Sequence, residues 1–90
     1  MRADNFVTFC FEDPRIMDED RFHQFVDALP WEVFRMKGPV RFSDRTQLVN
    51  FVGGKGEWSE WDGGTRTRLA FIGWNVNAEQ ILQKLSRCIL

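Results

Sequence analysis

Ninety residues make one small domain, residues 1–90, with no room for a second. At 43% hydrophobic and 28% charged residues, the composition excludes a disordered chain. A net charge of −1 with acids and bases interspersed gives neither a nucleic-acid footprint nor a polybasic membrane anchor, and no apolar run approaches the ~20 residues of a membrane span.

Four Trp and nine Phe are many for this length, and large aromatics fill a small core efficiently. Met1 to Asn5 lack the apolar segment of a signal peptide, so the expected location is cytoplasmic. Residues 5–12 read as the first strand, with Val7, Phe9 and Phe11 on one face and Phe6, Thr8 and Cys10 on the other. Aromatics on both faces place this strand inside a sheet. Asp13-Pro14-Arg15 reads as a turn.

Asp18 is positioned to cap a helix running to Leu29, with Glu19 and Asp20 in the first turn where the helix dipole favours negative charge. Phe22, Phe25, Val26 and Leu29 repeat at i, i+3, i+4, i+7 and form its buried stripe, leaving His23 and Asp27 exposed. After Pro30 and Trp31, residues 33–42 alternate strictly. Phe34, Met36, Val40 and Phe42 face the core, and Arg35, Lys37 and Arg41 face solvent. Gly38-Pro39 interrupts this run and predicts a bulge or a free edge there.

The second half is a meander. A turn at residues 43–45 leads into a strand at 47–52, a glycine loop at 53–56 and a short strand at 57–61. Asp62-Gly63-Gly64 turns the chain into a strand over 65–72, with Leu69 and Phe71 on one face and Arg66 and Arg68 on the other. Asn77, with Gln80 three residues on, caps a final helix whose stripe is Ile81, Leu82, Leu85, Cys88 and Ile89. The expected fold is an α+β two-layer sandwich, β-α-β-β-β-β-α. Its mainly antiparallel sheet of four to five strands would carry both helices on one face.

Little in the chain points to chemistry of its own. Gly53-Gly54-Lys55-Gly56 lacks phosphate-loop spacing and the helix that would follow it. Cys10, Cys88 and His23 show no paired metal-ligand spacing; as a zinc site they would have to converge in space. Both cysteines read as small buried hydrophobes. No catalytic, cofactor or metal residue is expected, and the chain reads as a non-enzyme. What remains is the polar sheet face: Arg35, Lys37, Arg41, Arg66 and Arg68, with Gly38 supplying the bend and Trp58 or Trp61 the apolar contact area. It reads either as a solvated face laced with cross-strand ion pairs or as a docking surface. A basic face with aromatic neighbours also suits a small ligand or a single-stranded nucleic acid, although the whole-chain charge speaks against nucleic acid.

Arg35-Met36-Lys37-Gly38 resembles the Arg-x-Lys-Gly strand signature of the C-terminal domain of CobW-type GTPases. The likeness extends to the Phe-rich first strand and to Arg21-Phe22 with Phe25 and Leu29. It continues through Phe42, the Trp-bearing hairpin at Trp58 or Trp61, and Phe71-Ile72-Gly73. That resemblance implies an interaction or regulatory module of a metallochaperone GTPase, one linked to zinc or cobalt handling, cobalamin synthesis or the activation of nitrile hydratase. In such proteins GTP with magnesium and the cysteine-rich metal motif belong to the GTPase part, and neither motif is in this chain. Histidine-rich segments accompany many relatives; here His23 stands alone, which weighs against metal storage. The implied partners are a CobW-type GTPase domain in cis or in trans, a metalloenzyme client, or a second copy. Starting at Met, the chain is either a domain cut at its boundary or a stand-alone module working in trans.

Overall fold

The computed structural model describes residues 6–90, so the readings at Met1 to Asn5, including Asn5 as a strand residue, lie outside the described residues. Seven elements follow in the expected order: β1 (Phe6–Asp13), α1 (Glu19–Asp27), β2 (Val33–Arg41), β3 (Thr46–Val52), β4 (Lys55–Glu60), β5 (Thr67–Trp74) and α2 (Ala78–Ser86). The five strands form one sheet in the order β1-β5-β2-β3-β4, with every neighbouring pair antiparallel. β1 and β2 therefore run parallel with β5 inserted between them, a split β-α-β unit.

The helices start where local chemistry puts them. Asp18 accepts a hydrogen bond from the Arg21 backbone N–H at 2.9 Å, and Asn77 accepts one from Gln80 at 3.1 Å, each satisfying a donor that has no partner inside its helix. Both helices cover the same face. Phe22, fully buried, stands 5.8 Å from the Phe25 ring, 6.1 Å from Phe42 and 5.8 Å from Trp58. From the strands come Met36, Val40, Val49, Phe51, Leu69 and Phe71, and from α2 come Ile81, Leu85 and Cys88. At the far edge Phe9 stacks on Phe71 with centroids 4.7 Å apart. The chain end is tied down: Ile89 bridges Met17, and the Leu90 N–H donates to the Ile16 carbonyl at 2.8 Å.

Gly53 and Gly54 form the two-residue turn between β3 and β4, both at positive φ (59° and 86°), the combination that matches strand twist in a tight hairpin. β4 consequently begins at Lys55, two residues before the expected strand. The last strand likewise runs over 67–74 rather than 65–72.

Three expectations are corrected. β1 lies at the edge of the sheet, not inside it. The aromatic on its outer face, Phe6, is accommodated by Trp74 and Phe34 rings at 5.0 and 5.9 Å rather than by a second flanking strand. The β2 bulge falls between Val33 and Arg35, not at Gly38-Pro39, where instead the ladder to β5 ends after Lys37. In the bulge Phe34 is the extra residue, so Val33 and Met36 both face the core and Phe34 turns outward, 39% exposed. Cys10 is exposed, because the parity of β1 sends it to the uncovered face, whereas Cys88 is buried as expected.

Candidate docking face

None of the described residues covers the face of the sheet opposite the helices, and the strand register fixes which side chains this bare face displays. Across the sheet one row reads Thr8, Ile72, Arg35, Val52, Lys55; the next reads Cys10, Ala70, Lys37, Asn50, Glu57. Beyond the end of the β2–β5 ladder, Glu12 pairs with Arg68, and Pro39, Leu48 and Ser59 line up across β2, β3 and β4. At one corner Phe6, Phe34, Ile72 and Val52 are 61%, 39%, 39% and 51% exposed; the Phe6 ring meets Phe34 and half-buried Trp74, and Ile72 and Val52 flank Arg35 beside them.

The basic residues divide by what they do. Arg66 donates to Glu12 at 3.0 Å and Arg68 lies 3.7 Å from the same carboxylate, so this end of the face is a cross-strand ion cluster. Arg41 is half-buried and donates to the Pro14 carbonyl at 2.6 Å, anchoring the loop after β1. Arg35 and Lys37 are exposed and make no ion pair among the described residues. Beside Lys37, the Asn50 Oδ1 is buried with no hydrogen-bond partner among the described residues.

Gly38 lies underneath this face at φ +148°, where a Cβ would sit 1.8 Å from the Arg68 carbonyl oxygen. A side chain would force β2 away from β5, so glycine here allows the two strands to meet. Neither tryptophan singled out in the sequence sits beside Arg35. Trp58 is paired with core residue Val49 and packs on the covered face against Phe22, Phe42 and His23. Trp61 lines an open cleft of about 1060 Å³ between residues 41–47 and 60–65, its ring over Gly63. The aromatics that do flank the cations, Phe6, Phe34 and Trp74, escaped the sequence reading. Phe34 was masked by the bulge, and Phe6 and Trp74 by the unknown strand order.

Elsewhere, Arg45 ties the β2–β3 turn to α1 through Glu19 at 2.6 Å and also meets Asp44 at 2.7 Å, and these bonds raise its pKa above the ordinary guanidinium value. Cys10 sits on the bare face and Cys88 under the helix layer, so they and His23 do not converge. No group of three or more metal-binding side chains occurs among the described residues. No helix among the described residues is long and apolar enough to cross a membrane.

Fold and face together define an open-faced α+β sandwich, two helices on one side of a five-stranded antiparallel sheet. Residues 6–89 match the model of the cobalamin synthesis protein CobW C-terminal domain, and the chain belongs to that family. No curated protein sequence matches it. Among solved structures it is similar to the Zn(II)-bound YjiA GTPase from E. coli, at 17% identity and a TM-score of 0.77. A Zn(II)-bound triple mutant of the YjiA GTPase gives 17% and 0.78. Each alignment covers 94% of this chain and 30% of the other, so the chain spans less than a third of those proteins. At this identity the likeness establishes the fold.

Proposed function

We propose that this chain is the interaction domain of a CobW-type GTPase, that it performs no catalytic step of its own, and that its bare sheet face docks on the GTPase part. The observation that carries this reading is the pairing on one face of two uncommitted cations, Arg35 and Lys37, with the exposed patch of Phe6, Phe34, Ile72 and Val52. Apolar surface and unpaired charge cost little in water separately. Gathered on one flat face they suit a partner that desolvates the apolar corner and supplies carboxylates opposite the cations. Arg66, Arg68 and Arg41 have partners within the domain and contribute to its architecture rather than to recognition.

GTP chemistry would reside in the partner, joined in cis or meeting this chain in trans. The Zn(II) named for the similar GTPases, and the cobalamin synthesis named for the family, support a role in handling zinc, cobalt or a related ion as cargo. The setting would be the cytoplasm, which keeps an exposed thiol such as Cys10 reduced.

Titration with a separately produced CobW-type GTPase domain tests this reading. Replacing Arg35 and Lys37 together by Ala is expected to change stability by less than about 0.5 kcal/mol and to weaken binding about tenfold or more. Unfolding of the double variant would assign the pair a structural role, and unchanged affinity would remove the face from the interface. Salt-sensitive RNA binding in place of GTPase binding would reassign the face to nucleic acid.

A further inference from the structure

A second surface lies on the opposite side of the molecule, in the helix layer. α1 and α2 leave between them a groove of about 350 Å³. That is near the lower end of the ~300–1,000 Å³ typical of ligand pockets, room for a few apolar anchors rather than a whole cofactor. Its floor is apolar, from Phe25, Leu29 and Ile81, and its rim carries Arg21, Lys84 and Arg87. No carboxylate of the described residues lines it, although acids outnumber bases in the chain.

We infer that this groove receives an acidic amphipathic helix from a partner protein. Lys84 and Arg87 make no ion pair among the described residues, and Arg21 holds only a long contact of 3.9 Å to Asp18 while donating to the Arg87 carbonyl at 3.4 Å. Lys84 and Arg87 are three residues apart at the end of α2, about 4.5 Å along the axis at ~1.5 Å per residue. Carboxylates at i and i+3 or i+4 on an incoming helix have the same spacing, and the apolar side chains between them would enter the floor. Helix-dipole compensation accounts for Lys84 near the end of α2, and the bond to the Arg87 carbonyl for Arg21, yet neither supplies the rim cations with a carboxylate.

The test uses two fluorescent peptides with one leucine seam, flanked by Glu in one and Lys in the other, read by anisotropy at low and high salt. The Glu peptide is expected to bind about tenfold more tightly, with the difference shrinking in high salt. Lys84→Glu combined with Arg87→Glu is expected to reverse the preference, with a urea midpoint measured alongside to show that the variant is folded. Arg35→Glu with Lys37→Glu, on the other side of the sheet, reports any share of the binding that falls on the sheet face instead. Equal affinity for the two peptides, no binding of either, or loss only in the sheet-face variant would overturn the inference. Binding of fatty carboxylates without the Glu peptide would overturn it too, pointing to a small-molecule site.

Discussion

Replacing Gly38 by alanine is expected to be among the most damaging single-methyl changes available in this domain. Its φ of +148° is a conformation that L side chains rarely adopt. The added Cβ would meet three backbone atoms of β5: the Arg68 carbonyl oxygen at 1.8 Å, the Arg68 carbonyl carbon at 2.9 Å and the Leu69 Cα at 3.2 Å. None of these can rotate away, so β2 and β5 must part or β2 must adopt a new backbone path. Strain at a disfavoured backbone conformation costs about 1–3 kcal/mol, and an unrelieved overpacked contact costs a similar ~1–3 kcal/mol. A total of roughly 2–6 kcal/mol would be set against a stability of about 5–13 kcal/mol for a domain this size. Urea unfolding, with m of about 1–3 kcal/mol/M, should then show a midpoint lowered by about 1 M or more. Gly53→Ala is the control: at φ +59° with no atom within 4 Å, it carries backbone strain alone, about 1–2 kcal/mol. Equal midpoint shifts for the two variants would refute the reasoning that strand approach, rather than backbone freedom, demands Gly38.

Phe22→Ala, at the centre of the Phe25–Phe42–Trp58 cluster, is expected to lose about 3–5 kcal/mol, with a changed Trp fluorescence spectrum in the native state. Ellman's reagent should titrate one thiol, Cys10, in the native protein and both in denaturant, since Cys88 is buried and burial raises its pKa. Asp13 accepts hydrogen bonds from the Arg15 side chain at 3.0 and 2.9 Å and from its backbone N–H at 2.9 Å, and the side-chain bonds foremost lower its pKa from 3.8 to about 2. Its contribution to stability is therefore complete above the unfolded value near 4 and lost as the pH falls through about 2. Asp13→Asn should flatten that part of an acid titration of stability while leaving the neutral region nearly parallel.

Local rules carried most of the fold. Asp18 and Asn77 are read as N-caps because capping depends on a side chain reaching a backbone donor three residues away, all within a few positions of sequence. The alternation of Leu69 and Phe71 against Arg68, and the helical stripes on Phe22, Phe25, Ile81 and Leu85, report burial directly. What was not readable depends on partners distant in sequence. Whether β1 is central or an edge turns on where β5 inserts, about sixty residues later. The bulge at Phe34 left the apolar pattern looking unbroken, since an outward Phe and an inward Phe are the same letter. For the same reason the sequence assigns the aromatic content of the docking face to Trp58 or Trp61 instead of Phe6, Phe34 and Trp74, whereas the β3–β4 register turns Trp58 to the helices and Trp61 lines the cleft at residues 41–47 and 60–65. Arg35 and Lys37, by contrast, follow from parity alone. Their lack of ion-pair partners among the described residues, against the engagement of Arg66 and Arg68 with Glu12, is visible only with the strands assembled.

The first measurement to make is an NMR titration of the isotope-labelled domain with an unlabelled CobW-type GTPase domain. Docking through the bare face should concentrate the shifts in Phe34, Arg35, Lys37, Asn50, Val52 and Ile72. Shifts confined to α1 and α2, or to the cleft at residues 41–47 and 60–65, would contradict the proposal and place the GTPase on another side of the sandwich.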